Sequence, residues 1–350
     1  MPELSLAKPR NPVIWGAAAA GAAALAAGIA VQQRFRRRIA ADPEQAILSE
    51  APSGRPLEVR SSDGTVLHAE VFGPPDGETV VLAHGWTESL QYWVYQIREL
   101  SERGLRVVAY DLRGHGESEP ARDDDYSIAR FGEDLEAVLA AVVPEGRAAV
   151  VAGHSLGAMA IAAWAERHEV GRRVGAAALI NTGVGDLIAE QLLVPVPGIA
   201  QAINRTVALH GFLGNRAPLP RFSTPLTAAA IRYVVFGPGA TPAQVAFFER
   251  MLIACPPDVR ANVGIALSEV ELLDALPRLD VPTIVIAGEH DRLTPPAHAR
   301  RIAEMLPSLE RLVVLGASAH MAPLECPEAV NDALLELARK VGFAADPAAA

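Results

Sequence analysis

The segment Gly153-His154-Ser155-Leu156-Gly157 sets a hydroxyl between two glycines, where the apolar run "AAVVAG" gives way to the helical pattern "SLGAMAIAAWAERH". Packing would favour an apolar side chain there and a turn would need only glycine, so the hydroxyl needs its own explanation. G-x-S-x-G at a strand-to-helix turn is the pattern of a nucleophile elbow. Its glycines (Gly153 and Gly157) let backbone segments approach closely, and its serine takes a strained conformation with the hydroxyl projecting above the sheet. The competing reading of Ser155 is an ordinary helix N-cap, common wherever a helix starts.

A serine hydroxyl is a weak nucleophile at neutral pH and needs a base, itself oriented by an acid. After the apolar run "VPTIVIAG" comes "EHDRLTPP", which puts Asp291 just past a strand end, where open α/β sheets hold functional residues. After "ERLVVLG" comes "ASAHMAPLE", which puts His320 past the next strand end. Taken singly, Asp291 could cap a turn before Pro295 and His320 could be a satisfied loop histidine. Taken together, Ser155, Asp291 and His320 at three strand ends read as a triad. A tetrahedral intermediate also needs two N–H donors for its oxyanion. Leu156, directly after the nucleophile, supplies one, and the Trp86 amide in "AHGWTES" is the candidate for the other. Trp86 could equally be packing under a cap.

These residues need a scaffold. "LEVR" and "VLHAEVF" around an Asp63-Gly64 turn predict an antiparallel hairpin. Apolar strand-like runs then alternate with amphipathic stretches predicting helices over 89–103, 127–143 and 155–168, and later 297–306 and 327–341. Such alternation predicts an α/β fold with a mostly parallel sheet covered by helices on both faces. The alternation breaks between 184 and 276, too long for an ordinary connection, which predicts an inserted, mostly helical cap over an apolar pocket. The domain plan is therefore 1–41 anchor and basic flank, 42–56 linker, 57–183 and 277–342 core, 184–276 cap and 343–350 frayed tail.

From about Leu57 to Val341 the chain resembles the α/β-hydrolase superfamily, in its capped esterase and lipase branch. The resemblance rests on "AHGW", "AYDLRGHGES", "GHSLG", "AGEHDRLTPP" and "ASAHMAPLE", in the family's order. It implies an eight-stranded sheet, a Ser155–His320–Asp291 triad, an oxyanion hole at Trp86 and Leu156, and no cofactor or metal. It also implies that Asp111, Arg113 and His115 form a structural turn, and that His84 and His154 shape backbone or pack. A serine nucleophile in place of aspartate argues against epoxide hydrolase and haloalkane dehalogenase chemistry. Ala158 stands where many relatives carry another glycine. Asp186, after the preceding strand, is a second candidate acid. The implied activity is hydrolysis of a small-molecule carboxylic ester, hydrophobic or lipid-like. Thioesterase, amidase, carbon–carbon hydrolase, acyltransferase and perhydrolase or haloperoxidase-like chemistry share the triad, and a non-catalytic ligand-binding member shares the fold.

The chain has 350 residues, 50% of them hydrophobic, enough for a full core, and a net charge of -10, which argues against a nucleic-acid partner. Cys255 and Cys326 lack disulfide-framework or metal spacing. Residues 13–31 form an uncharged, alanine-rich run of about 28 Å if helical, close to a bilayer core. Lys8 and Arg10 precede it, and Arg34, Arg36, Arg37 and Arg38 follow. The run reads as a single-pass membrane anchor with the domain on the cytoplasmic side, as a cleaved secretory signal, or as a soluble helix.

Overall fold

The computed structural model describes residues 12–185, 187, 213–219 and 222–340, with side chains from residue 25 onward. Eight strands form one sheet: β1 (Arg55–Arg60), β2 (Val66–Phe72), β3 (Thr79–Ala83), β4 (Arg106–Tyr110), β5 (Ala149–His154), β6 (Val174–Ile180), β7 (Thr283–Gly288) and β8 (Leu309–Leu315). Their order is β1-β2-β4-β3-β5-β6-β7-β8. β1 and β2 pair antiparallel, as do β2 and β4, and every later neighbour pairs parallel. The expected eight-stranded, mostly parallel sheet is therefore present. β3, β5 and β7 are buried along their whole length, which is why they read as continuous apolar runs and not as alternating ones.

Helices cover both faces. On one face α4 (Ile128–Val142), α5 (Leu156–Arg167) and α9 (Pro296–Met305) supply Phe131, Leu135, Met159 and Ile302 to a core cluster. On the other, α3 (Val94–Glu102) and α11 (Pro327–Lys340) supply Ile97, Leu100, Leu334 and Leu337. Each such fully buried aliphatic side chain contributes roughly 1.5–3 kcal/mol against exposure.

The long excursion between β6 and β7 contains, among the described residues, α6 (Pro225–Val235), α7 (Pro242–Ala254) and α8 (Pro257–Ser268). α6 and α7 begin with a threonine capping box followed by proline, the sequence signature of a helix start. The excursion straddles both layers, with α8 packing into one core cluster and α6 and α7 into the other. A four-residue helix α10 (Ala322–Glu325) follows β8 after the loop 316–321. Residue 186, residues 188–212 and the expected tail 343–350 lie outside the described residues, so Asp186 is not placed.

At the N-terminus a single helix α1 (Pro12–Ala40) runs through the alanine-rich stretch and on past the arginine cluster. Its end docks on the excursion, because Gln32 Nε2 donates to the Ser223 carbonyl at 2.7 Å and Phe35 packs against the core. No helix among the described residues is long and apolar enough to cross a membrane, so the expected anchor over 13–31 gains no support from them. The side chains of 13–24, most of that run, lie outside the description. The stretch 42–56, expected as a linker, holds a short helix α2 (Gln45–Ser49) whose Leu48 is buried in the core. Asp42 Oδ2 accepts from the Ala243 amide at the start of α7.

Candidate active site

The parallel strands end on one side of the sheet, and the candidate residues follow those ends: Trp86 after β3, Ser155 after β5, Asp291 after β7 and His320 after β8. The elbow is tight. A Cβ on Gly157 would lie 2.2 Å from the Ala83 carbonyl oxygen, and one on Gly153 would lie 2.4 Å from the Ala158 nitrogen. Only glycine lets β5 turn into α5 against β3 at this separation. Ser155 sits between them at φ 48° and ψ −111°, a left-handed conformation costing about 1–3 kcal/mol for a residue with a side chain. Backbone bonds hold it there. The Ser155 amide donates to the Ile180 carbonyl, and the Ser155 carbonyl accepts from Thr182 Oγ1 at 2.9 Å. Ser155 occupies the N-cap position of α5 but makes no side-chain capping bond, so the hydroxyl is not spent on the helix.

Asp291 and His320 meet. His320 Nδ1 lies 2.8 Å from Asp291 Oδ2, and a carboxylate there requires the ring proton on Nδ1, which leaves Nε2 as an acceptor. Asp291 is also the capped turn that its sequence suggested, since its Oδ1 accepts from the Leu293 and Thr294 amides at 2.9 Å. Its Oδ2 further accepts from Thr294 Oγ1 at 2.9 Å and from Asn181 Nδ2 at 3.1 Å. Burial by itself would raise the carboxyl, but the His320 charge and these donors hold it below the ordinary carboxylate range. Burial would likewise lower the imidazole. The charge and hydrogen bond of Asp291, with Glu88 and Glu325 behind them, hold His320 above its usual value.

The loop bearing His320 is clamped from three sides. His154 Nε2 lies 2.8 Å from the His320 carbonyl, and its Nδ1 lies 3.1 Å from Glu88 Oε2. Glu325 Oε2 accepts from the Ala319 amide, while its Oε1 accepts from the Gly237 amide just beyond α6. The His320 amide itself donates to the Val235 carbonyl at the end of α6.

On the β3 side, the Leu112 amide donates to His84 Nε2 at 3.0 Å, which places the ring proton on Nδ1, facing the Gly85 carbonyl at 2.7 Å. Burial drives the His84 ring well below its ordinary pKa. It ties two loops together as a neutral ring. Trp86 packs against the core and donates Nε1 to the Arg260 carbonyl. Leu156 opens α5, and the first N–H groups of a helix have no intrahelical partner.

The "DLRGHGES" segment is a buried turn. Arg113 makes a forked pair with Asp134 at 2.6 and 2.7 Å and reaches Asp63 at 2.8 Å. Asp111 accepts from the Leu90 and Glu117 amides, and burial raises it to about 6. Burial lowers His115 to about 4.

Ser155 and His320 line one cavity of about 260 Å³, walled largely by apolar side chains such as Met159, Leu187, Leu213, Ile231, Phe248 and Leu267. Among the described residues no cluster of His, Cys, Asp or Glu has metal-binding geometry. Sequence reasoning missed Asn181, Thr294, Glu88 and Arg260. Asn181 leaves a trace in the sequence as the polar residue ending "VGAAALIN", and it stands at φ 46°. Thr294, three residues after Asp291, fits an Asx-turn pattern. Glu88 and Arg260 leave none, because the contacts that link them to the site, His154 for Glu88 and Trp86 for Arg260, are remote in the chain.

A family described as "alpha/beta hydrolase fold" matches residues 78–327. A non-heme haloperoxidase from Rhodococcus erythropolis is 30% identical over 283 residues, covering 79% of this chain and 97% of that protein. A bifunctional esterase/perhydrolase from Acinetobacter calcoaceticus is 26% identical over 297 residues, covering 80% and 99%. Among solved structures, a thermophilic esterase from Thermogutta terrifontis superposes with a TM-score of 0.64 at 25% identity, over 82% of this chain and 98% of that one.

Proposed function

The chain belongs to the α/β-hydrolase family, and from that premise we propose that it hydrolyses carboxylic esters through Ser155, His320 and Asp291. The observation that carries the reading is the Asp291–His320 pair at 2.8 Å, sharing one apolar cavity with an uncommitted hydroxyl on a strained elbow. His320 Nε2 removes the Ser155 proton as Oγ attacks the ester carbonyl, and the Leu156 and Trp86 amides receive the oxyanion. His320 then returns the proton to the departing alcohol. Water, activated by the same nitrogen, cleaves the acyl-enzyme and regenerates Ser155. Asp291 stays ionised throughout, holding the ring and balancing the imidazolium. No cofactor enters these steps.

The apolar walls favour an ester with a hydrophobic acyl or alcohol part. In this reading the excursion between β6 and β7 is a cap over the substrate. The test is turnover of p-nitrophenyl esters from acetate to palmitate by the full chain beside Ser155→Ala. Activity that vanishes with Ser155 supports the triad, and an optimum at medium or long acyl chains supports the hydrophobic pocket. Activity unchanged in Ser155→Ala would refute it.

The esterase/perhydrolase and haloperoxidase relatives favour one second reading, in which hydrogen peroxide replaces water at the acyl-enzyme and releases a peracid. Peroxide-dependent bromination in acetate buffer separates the two.

The reading also keeps residues 13–31 as a membrane attachment, with the domain on the cytoplasmic side. Its support is the uncharged run between basic flanks. Alkaline extraction of membranes tests it, since release of the full chain into the soluble fraction would remove the attachment.

A further inference from the structure

The cavity wall holds a charged group that the chemistry at Ser155 does not use. Arg260, on α8, is 5% exposed and lines the same cavity as Ser155 and His320. Its Nη2 donates to the Asn215 and Ala217 carbonyls at 3.2 and 2.6 Å, and its own carbonyl accepts from Trp86 Nε1 at 3.1 Å. Both ends of the residue are thus fixed, the side chain to the 215–217 segment and the backbone carbonyl to Trp86, whose amide is the proposed oxyanion donor.

The guanidinium is nevertheless unfinished. It carries five N–H donors, of which only those on Nη2 are used. Among the described residues no carboxylate forms an ion pair with it, and Nε and Nη1 have no hydrogen-bond partner. Neither atom is among those sealed from solvent without a partner, so an occupant of the cavity can reach them. The acid that shares the cavity wall, Glu88, is already committed to the Gly85 amide at 2.6 Å and to His154 at 3.1 Å. Buried guanidinium groups are ordinarily paired, because burying an uncompensated charge is costly. Among the described residues this guanidinium, on the wall of the substrate's space, has no such partner.

We propose that Arg260 is an anion-recognition residue: the substrate is an amphiphilic ester whose far end carries an oxyanion, a carboxylate or a phosphate. The unused edge of the guanidinium receives that group in a forked contact, the apolar walls take the chain between, and the ester carbonyl lies at Ser155. The proposal rests on the ester-hydrolase reading above. It narrows the substrate class from hydrophobic esters to anionic amphiphiles, in a protein whose net charge of -10 does not itself attract them.

The test compares p-nitrophenyl hexanoate with mono-p-nitrophenyl adipate, which has the same acyl length but ends in a carboxylate, on the full chain. Arg260→Gln is expected to raise KM for the adipate about 10- to 100-fold, the worth of a charge-assisted contact, and to leave hexanoate within about threefold. Arg260→Lys keeps the charge without the fork, and is expected to raise KM for the adipate alone. It serves if the glutamine variant fails to fold. Calorimetric titration of Ser155→Ala with monoethyl adipate and with monohexyl phosphate reads binding without turnover and separates carboxylate from phosphate. Binding of either that disappears in Ser155→Ala/Arg260→Gln supports the site. If that binding is seen while the wild type turns over neither ester, the subsite stands and the ester-hydrolase reading falls. Equal losses on both esters, or binding of both anions that ignores Arg260, would overturn the proposal.

Discussion

Replacing Asp291 with asparagine removes one charge and reverses the hydrogen bonding of the whole site. Five donors converge on this carboxylate: two backbone amides on Oδ1, and Thr294 Oγ1, Asn181 Nδ2 and His320 Nδ1 on Oδ2. A carboxamide has one acceptor oxygen. Turned toward the Leu293 and Thr294 amides, it presents an NH₂ group to three donors, and turned the other way it presents NH₂ to two backbone N–H groups. The cheaper orientation is the first, because His320 can move its proton to Nε2 and accept at Nδ1. That adjustment disables the base, since Nε2 then has no lone pair for the Ser155 proton. The expected loss in kcat is about 10⁴-fold, or about 5.4 kcal/mol of transition-state stabilisation. Folding loses less. Asn181 Nδ2 keeps the Ala319 carbonyl at 2.9 Å, so the stranded donor is the Thr294 hydroxyl, worth about 1–3 kcal/mol. Steady-state hydrolysis of p-nitrophenyl hexanoate, with urea unfolding of the same preparation, separates the two effects. A folded Asp291→Asn protein with kcat within tenfold of the wild type would show that His320 is not the base that Asp291 orients.

Three further outcomes are expected. Because the reaction needs a neutral imidazole and the Asp291 charge raises His320, kcat/KM should fall as pH drops through a midpoint above 6.5; a midpoint below pH 6 would contradict the pairing. Stability moves the opposite way, since the gain from a raised His320 is complete below its unfolded pKa and is lost as pH rises through its folded one, measurable by urea unfolding across pH 6–9. Arg113→Met leaves Asp134 buried without its forked partner and should cost about 3–5 kcal/mol in urea unfolding, with little change in kcat per folded molecule. Gly157→Ala drives a Cβ to 2.2 Å from the Ala83 carbonyl oxygen and should cost about 3 kcal/mol while displacing Ser155, so a variant with wild-type stability and kcat would refute the close-approach argument.

The central strands β3, β5 and β7 were legible because each is buried on both faces, so they appear as unbroken apolar runs whose ends differ by a residue or two from the sequence reading. The helices were legible from their amphipathic period, except where the chain departs from it: the 90–93 segment winds as a 3₁₀ turn before α3, and α10 is only four residues long. The stretch 42–56 holds more than its composition reports. Its prolines and glycine suggest a linker, and Leu48 within it finds a buried site beside α7 that depends on a contact about 200 residues away in the chain.

Sequence alone determined the candidate nucleophile, base and acid, because an elbow motif and two strand-end motifs are local patterns whose chemistry depends on residue type and order. The family resemblance also set three histidines aside, His115 within a structural turn and His84 and His154 at backbone-shaping or packing positions. Tertiary structure decided what surrounds them. Asn181 reaches Asp291 across 110 residues, Glu88 reaches His154 across 66, and Trp86 reaches the Arg260 carbonyl across 174. No period or spacing encodes such pairings, because they arise only when strands far apart in the chain end side by side at one edge of the sheet. The charge of Arg260 on the cavity wall belongs to that second class: its significance lies in having no ionic partner among the described residues, which only the folded chain can show.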